Sequence, residues 1–385
     1  MQPVDFTTLA AVCQDLQEHW IPSRCEQVYQ LDRNTVAIAL RTLKQREWIT
    51  ISWHPQAARL HIGEPPPRTP DTFTFSQQLK HQLNGLALVA IAPTAPWERV
   101  LDLQFARRPG DPLQWHLYVE IMGKYSNVIL TNAKGQIVTA AHQVSEQQSS
   151  VRPILTGATY ELPPAITGPF PSLEEPFTSW RERVALIPGK IKKQLVRAYS
   201  GLSSVLVDTL LRATDLDPSQ NTDTLNDHHW QQLFEAWQRW LQQLASGDFH
   251  PGWTKTGYSV LGWHITTAAE NVHTLLRDYY SHELNLQSFE RLKNQLSQKL
   301  KNLLKKLNIK AAGFSERLQQ SEQANEYRRQ ADLLMAYSHQ WQPGMQSLTL
   351  EDFETGEPIT IALNPEKNAV QNAQNFLQMD MANLN

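Results

Sequence analysis

The 385-residue sequence lacks the features that mark several common protein classes. Its two cysteines, Cys13 and Cys25, are too few for a zinc site or a disulfide framework; they could form one bridge or remain two buried thiols. No segment approaches the roughly eighteen consecutive apolar residues of a membrane helix, and a signal peptide is not seen at the start. Walker motifs, metal-ligand clusters and paired carboxylates do not stand out either. These absences predict a cytoplasmic protein without a membrane partner, metal, cofactor or catalytic residue.

The composition leaves room for a buried core. Hydrophobic residues make up 41% and charged residues 19% of the chain, which is typical of globular proteins and not of disordered ones. The length favours two or three domains.

The formal net charge of −3 hides two basic stretches. Residues 181–212 carry a local excess of +5 and residues 285–312 an excess of +6, so the rest of the chain carries −14. Such stretches on an otherwise acidic protein are typical of phosphate-binding surfaces. A solvated helix face would give the same pattern, and charge alone does not separate the two.

The first 170 residues predict an α+β unit. Helical spacing is found in residues 6–18 and 75–83, and the proline-rich residues 63–70 between these helices predict a loop. Short runs of β-branched and aromatic residues, separated by polar turns, predict two sets of strands. These runs are residues 28–31, 35–40, 48–53, 85–92, 99–105, 115–120, 127–131 and 137–140. The turn at residues 132–135 predicts a hairpin between the last two.

A proline-rich segment, residues 163–176, predicts a domain boundary. Residues 180–213 are helical and basic, with breaks at Pro188-Gly189 and at Ser200-Gly201. A helix–turn–helix with Gly201 in the turn can present backbone amides to phosphate. Two packed helices with an ordinary glycine cap would look the same.

The last hundred residues predict a long helix followed by a small hairpin. From Leu292 to Leu318 apolar residues recur at steps of three and four, which is a heptad-like pattern. We therefore expect one helix from about 287 to 334 that projects from the body and pairs with a second protomer or frays. Residues 347–353 and 358–363 predict two strands, and Asn364-Pro365 predicts a helix start. The return arm of a coiled coil has barely begun at residue 385, as in a truncated chain.

Residues 120–130 resemble the hallmark of a known family. Their Met122-Gly-Lys-Tyr-Ser-Asn127 turn is similar to the strand–turn–strand motif of the NFACT family of ribosome-associated quality-control factors. Further similarities follow in family order along the chain, at residues 51–61, 75–85, 160–164, 199–203, 272–281, 332–334, 362–365 and 372–374. Bacterial members are known as RqcH or, under an older name, fibronectin-binding protein A, and a eukaryotic relative is NEMF.

The resemblance implies an architecture and a set of partners. It implies an NFACT-N domain over residues 1–175, similar in fold to the N-terminal domain of DNA glycosylases. A helix–hairpin–helix and return segment (176–283) and a truncated coiled-coil arm (284–385) would follow, without the C-terminal NFACT-R domain. Family members bind large ribosomal subunits, and hence rRNA, that carry a stalled nascent chain on tRNA. They recruit tRNA, charged with alanine in bacteria, to add a C-terminal tail to that chain.

The same resemblance implies the site residues. The tRNA-binding Asp-Arg pair of the family falls on Glu98 and Arg99, where glutamate replaces aspartate. Alone, the two would indicate a surface ion pair. In the hallmark turn, Gly123, Lys124, Ser126 and Asn127 would contact nucleic acid, or the last two would merely satisfy turn amides. The phosphate- or rRNA-binding candidates are Lys190, Lys192, Lys193, Gly201, Lys299, Lys301, Lys305 and Lys306.

Two other functions fit the resemblance less fully. The older family name suggests a surface adhesin that binds fibronectin. The glycosylase-like fold suggests a non-catalytic nucleic-acid-binding protein, because Gln2 replaces the N-terminal proline and the zinc cysteines of those enzymes are missing.

Overall fold

The computed structural model describes residues 1–67, 69–149, 151–164 and 168–383. It divides into two compact units, Met1–Gln287 and Ser288–Asn385. The fold is α+β, as the sequence predicts. Among the described residues, no helix is both long enough and apolar enough to span a bilayer.

A nine-stranded antiparallel sheet organises the first unit. Its strand order is β4-β3-β2-β1-β5-β6-β7-β8-β9. Strands β1 and β5 pair at two positions alone, Ser23 with Leu88 and Arg24 with Ala87, so the sheet consists of two meanders joined at a short seam. The strands are β1 (Ser23–Asp32), β2 (Thr35–Arg41), β3 (Arg46–Ser52), β4 (Arg59–Gly63), β5 (Ala87–Pro93), β6 (Val100–Ala106), β7 (Leu113–Glu120), β8 (Asn127–Asn132) and β9 (Ile137–Ala140).

Two helices, α1 (Phe6–Trp20) and α2 (Thr74–Leu83), pack on this sheet. Asp5 caps α1, because its Oδ1 accepts a hydrogen bond from the Thr8 amide at 2.9 Å. The apolar side chains at helical spacing in α1 and α2 are buried in one core with those of the strands. Both predicted helices and the predicted strands are confirmed. The loop predicted at residues 63–70 starts at residue 64 in the structure, because Gly63 is the last residue of β4. Arg68 lies outside the described residues.

A helical region follows within the first unit. It contains α3 (Phe177–Ala185), α4 (Ile191–Ala198), α5 (Ser204–Arg212) and α6 (Asp227–Ser246), so the predicted breaks at residues 188–189 and 200–201 are confirmed. A small sheet of β10 (Gly252–Thr254), β11 (Gly257–Ser259) and β12 (Thr267–Ala268) comes next. The helices share a core of large aromatic side chains: Trp180, Tyr199, Trp230, Trp237 and Trp240.

The predicted long helix is confirmed, but it starts earlier than the heptad pattern suggests. Helix α7 runs over Val272–Ala336, and Asn271 caps it by accepting from the Thr274 amide at 2.8 Å. Residues such as Leu276 and Tyr280 in its first turns are buried in the core of the first unit. Their spacing is that of a single buried helix face.

The second unit closes on a small core of its own. The end of α7 packs against a hairpin of β13 (Ser347–Glu351) and β14 (Pro358–Ala362) and against α8 (Ala369–Asn383). Leu334, Leu348, Ile361 and Ala373 are buried at its centre. Both predicted strands are confirmed.

The predicted helix start at Asn364-Pro365 is wrong. Helix α8 begins at Ala369, and Asn368 caps it through a 2.8 Å bond to the Gln371 amide. The buried Asn372 side chain accepts from the Asn364 amide at 2.8 Å and donates to the Asn364 carbonyl at 3.1 Å. Because these bonds occupy the backbone of Asn364, residues 364–367 form a turn and the helix starts after it.

Candidate nucleic-acid interface

One cleft of the first unit brings together two of the residue sets that the sequence singles out. The cleft has a volume of about 400 Å³, and Arg99 and Gly123 both line it. The Ile121 amide donates to the Arg99 carbonyl at 2.9 Å, which joins the start of β6 to the end of β7. Apolar walls come from Met1, Val4, Pro55, Ile121 and Met122. The cleft therefore has apolar walls and the cationic Arg99 at its edge.

The Glu98-Arg99 pair lies at the end of a tight turn, with Glu98 as the last residue of the turn. The Glu98 amide donates to the Ala95 carbonyl at 3.3 Å and closes this turn. Within the part of the chain that the structure describes, neither side chain has an ion-pair or hydrogen-bond partner. The surface ion pair that adjacent opposite charges suggest therefore does not form, and the Arg99 guanidinium is available to a ligand.

The hallmark turn is a short 3-10 turn, Gly123–Tyr125, between β7 and β8. Gly123 has φ +58°, which favours glycine, and a Cβ there would lie 3.7 Å from the Pro55 carbonyl oxygen. The Lys124 Nζ lies 4.8 Å from the centre of the Tyr125 ring. The Tyr125 side chain is 71% exposed, so the turn presents a cation and an aromatic face side by side. Apart from its place in the hallmark turn, nothing in the sequence pattern predicts a binding role for Tyr125.

Ser126 and Asn127 are buried and bonded within the hairpin. The Ser126 hydroxyl accepts from the Met122 amide at 2.8 Å. The Asn127 side chain donates to the His142 carbonyl at 2.7 Å and accepts from the His142 amide at 2.9 Å. These bonds match the interpretation in which the two residues satisfy turn amides. Contact with nucleic acid from either of them stays a prediction.

A buried ion pair braces the strand that leads into the hallmark turn. The Glu120 carboxylate accepts from Arg152 Nη1 at 3.1 Å and from the Tyr160 hydroxyl at 2.9 Å. Burial raises the pKa of Tyr160, and the Glu120 charge raises that pKa further. The pair fixes the segment around Arg152 and Tyr160 to β7. Sequence spacing does not reveal it, because the partners lie 32 and 40 residues away from Glu120.

The basic stretch of the helical region is partly neutralised by ion pairs. Lys192 Nζ lies 2.6 Å from an Asp208 oxygen, and Arg183 Nε lies 3.1 Å from Glu175. Lys190, Lys193 and Arg197 line an open groove of about 580 Å³ along α4. Of the predicted lysines on this helix, Lys192 is therefore the one already held by a carboxylate.

Gly201 faces an aromatic ring. It has φ +86°, and a Cβ on it would lie 3.1 Å from Trp97 Cε3, closer than ordinary van der Waals contact. The glycine of the helix–hairpin turn thus packs directly against the residue that precedes Glu98.

The predicted lysines of α7 are exposed. Lys299, Lys301, Lys305 and Lys306 are solvent-facing, and none of them pairs with a carboxylate among the residues described. The same helix carries a stripe of equally exposed leucines: Leu292, Leu296, Leu300, Leu303 and Leu307 are 51–61% exposed. At about 100° per residue, Lys299 and Lys306 lie beside this stripe, whereas Lys301 and Lys305 lie on the opposite side of the helix.

The cysteines and the metal-ligating residues form no reactive site in the described part of the chain. Cys13 and Cys25 are buried and unbridged, and burial raises their pKa values to about 11 and about 12. No group of three or more His, Cys, Asp or Glu side chains there could hold a metal ion.

Comparison with known proteins gives relatives over nearly the whole chain. Proteins named "Rqc2 homolog RqcH" are 25% identical in Streptococcus pneumoniae and in Bacillus subtilis, over 95% and 94% of this chain. The chain spans 64% of the length of each.

Solved structures share the fold. The N-terminal part of the fibronectin/fibrinogen-binding protein from Streptococcus suis matches with a TM-score of 0.56 and 21% identity, covering 72% of this chain and 99% of that one. The fibrinogen binding protein from Staphylococcus aureus matches with a TM-score of 0.54 and 18% identity, covering 72% and 98%.

The family match agrees with the motif resemblance and with the fold. The model for the NFACT N-terminal and middle domains matches residues 5–379. It therefore includes Arg99, the hallmark turn and the long helix. The chain belongs to the NFACT family.

Proposed function

We propose that this protein is an RNA-binding factor of ribosome quality control. It binds large ribosomal subunits that carry a stalled nascent chain and recruits tRNA, alanine tRNA in bacteria, so that the chain receives a C-terminal tail. The observation that carries the proposal is the cleft in which Arg99 and the hallmark turn meet. The chain's family and the RqcH names of its relatives support the ribosomal setting, and that setting implies the cytoplasm.

The cleft suits tRNA by its chemistry. RNA loops are recognised through unstacked bases that lie on aromatic rings or guanidinium planes, with cations on the phosphates. Arg99 supplies an uncommitted guanidinium, and the exposed Tyr125 beside Lys124 supplies a ring and a cation. Glu98 would accept a hydrogen bond from an exocyclic base amine or orient Arg99 when RNA is bound.

The basic surfaces suit the ribosomal subunit. Lys190 and Lys193 in the groove on α4, together with the four lysines of α7, would bind phosphates of rRNA. Lys192 contributes less, since Asp208 already neutralises it. The exposed leucine stripe of α7 is the surface through which a second copy of the chain would pair. We keep 1–175, 176–283 and 284–385 as the proposed domain boundaries.

A surface adhesin is the second candidate. Two solved structures of the same fold carry fibronectin or fibrinogen binding in their names, and this is the observation that favours it. The two candidates differ in what they bind, so one experiment separates them.

That experiment is affinity purification of the tagged full chain from a bacterial lysate, followed by sequencing of bound RNA and a fibronectin-binding assay. We expect enrichment of large-subunit rRNA and of tRNA over a tag-only control, with no binding to immobilised fibronectin. Fibronectin binding without RNA enrichment would replace the proposal with the adhesin.

A further inference from the structure

We propose that Trp97 is a positioning residue that holds Glu98 and Arg99 in place against the helical region. The inference rests on the proposed function, because it concerns how the tRNA-binding pair is presented. It is carried by a strained turn and by the aromatic contacts that surround one side chain.

The turn before Arg99 uses an unfavourable residue. Residues 95–98 form a turn closed by the bond from the Glu98 amide to the Ala95 carbonyl, with Pro96 at its second position. Trp97 at the third position has φ +63°. Proline followed by a positive φ is the pattern of a type II turn, whose third position normally holds glycine or asparagine. A bulky residue there is strained, and such strain persists where surrounding contacts enforce it.

Those contacts come from three parts of the chain. The Trp97 ring centre lies 4.7 Å from that of Phe6 in α1, 5.7 Å from that of Trp240 in α6, and 6.5 Å from that of Phe170. The Phe170 ring is parallel to Trp97 within 5°. The buried Trp240 is itself held in place, because its Nε1 donates a hydrogen bond to the Thr7 hydroxyl at 3.1 Å.

Gly201, in the turn between α4 and α5, packs against the Trp97 ring as well. The gap between its Cα and the Trp97 ring leaves little room for a methyl group. The turn of the helix–hairpin–helix and the loop before Arg99 are therefore packed as one piece. Because Glu98 and Arg99 follow Trp97 directly in the chain, the packing of Trp97 sets the position of their backbone, and with it the position of Arg99 at the cleft.

Trp97→Gly tests the ring contacts of Trp97 separately from the conformation of the turn. Trp97→Gly keeps, and even favours, the positive φ while it removes every ring contact. Trp97→Phe keeps an aromatic ring at this position. If the ring contacts of Trp97 position Arg99, Trp97→Gly should bind a fluorescent alanine tRNA transcript about tenfold more weakly, because the contact is no longer preorganised. Trp97→Phe should bind the transcript within about threefold of the parent chain, because it keeps a ring in the same place.

A double-mutant cycle tests whether Trp97 acts through Arg99. Arg99→Ala should weaken tRNA binding by itself, and adding Trp97→Gly to it should change the dissociation constant by less than about twofold. Should Trp97→Gly fail to fold by circular dichroism, Phe170→Ala decides the matter. Phe170 is 38% exposed, so its loss should weaken tRNA binding about threefold without unfolding the chain, whereas Leu173→Ala, 42% exposed in the same segment, should not.

The outcomes separate the two proposals. Normal tRNA binding by Arg99→Ala would overturn the site and, with it, the role of Trp97. Weak binding by Arg99→Ala together with normal binding by Trp97→Gly would overturn the role of Trp97 and leave the site standing. An undiminished effect of Trp97→Gly in the Arg99→Ala background would show that Trp97 does not act through Arg99, which also overturns the inference.

Discussion

Helices α6 and α7 carry apolar faces of similar spacing but place them in opposite surroundings. In α6, Leu233 is 1% exposed and lies among tryptophans of the helical core. In α7, Leu300 is 61% exposed and belongs to a stripe in which every leucine from Leu292 to Leu307 is more than half exposed. Periodicity predicts that a segment is helical. Whether its apolar face is buried depends on which other element packs against it, and the spacing does not identify that element. In soluble proteins, large exposed apolar patches often mark the surfaces that bind partners.

The largest expected effect is on stability, from a cavity in the buried face. Leu233→Ala should lower the free energy of unfolding by about 2–5 kcal/mol, because the tryptophans around it cannot fully close the space. Chemical denaturation followed by tryptophan fluorescence measures this directly.

The matched variant on the exposed face is Leu300→Ala. At protein concentrations low enough to keep the chain monomeric, it should change the free energy of unfolding by no more than about 0.5 kcal/mol, because the side chain then faces solvent. Equal losses from Leu233→Ala and Leu300→Ala would mean that the leucine stripe of α7 is covered in solution, for example by a second copy. Sedimentation equilibrium would then identify that copy.

The second expected effect is on subunit binding by the exposed lysines of α7, the helix that carries this stripe. Replacing Lys299, Lys301, Lys305 and Lys306 by glutamate should weaken binding to large ribosomal subunits by about 100-fold at moderate salt, through lost counterion release. Folding should be retained, since these side chains are exposed. Co-sedimentation across a salt series measures both the affinity and its salt dependence.

The control replaces the same four lysines by arginine, which keeps the charge. This variant should bind subunits as the parent chain does. If the glutamate variant binds with unchanged affinity and an unchanged salt slope, the lysines are a solvated helix face and not an rRNA contact.

The third expected effect is a pH dependence of the unfolding free energy that comes from a buried histidine of the first unit, His61. Burial, together with the positive charge of the neighbouring Arg59, lowers the pKa of His61 to about 3. His61 accepts from Arg59 Nε at 3.2 Å as a neutral ring. An unfolded chain protonates this histidine as the pH falls through about 6.5, whereas the folded chain does not. Stability should therefore fall with decreasing pH between about 6.5 and 3, by up to about 1.4 kcal/mol per pH unit from this group.

His61→Gln removes that proton uptake. Its plot of unfolding free energy against pH should be flatter than that of the parent chain in the same interval, whatever its stability at neutral pH. Parallel plots would show that His61 is protonated in the fold and would contradict its burial as a neutral ring.

Much of the fold could be predicted from the sequence, because it is encoded by local patterns. The strands around the hairpin at residues 132–135 and the helix breaks at Pro188-Gly189 and Ser200-Gly201 follow from turn chemistry and periodicity. The false helix start at Asn364 shows the limit of such patterns. A local capping signal was overridden by Asn372, whose side chain binds the Asn364 backbone from eight residues away.

The candidate site was less accessible to sequence reasoning. Motif resemblance named Arg99 and Gly123, but their meeting in one cleft depends on the pairing of β6 with β7. The role of Trp97 depends on a positive φ and on rings distant in sequence, such as Trp240. Tyr125 could have been found by asking which aromatic in the hallmark turn has no apolar neighbours at strand spacing.

The most direct test of the account is the recovery of tRNA and of large subunits, measured separately, by Arg99 variants of the full chain. Arg99→Ala should lose tRNA while it still recovers subunits, since the lysines of α7 supply the proposed subunit contact. Arg99→Lys should restore tRNA recovery in part, because an ammonium cannot make the planar two-pronged contact of a guanidinium. Glu98→Asp should retain it. If Arg99→Ala loses both partners or neither, the pair is structural and the cleft is not the tRNA site.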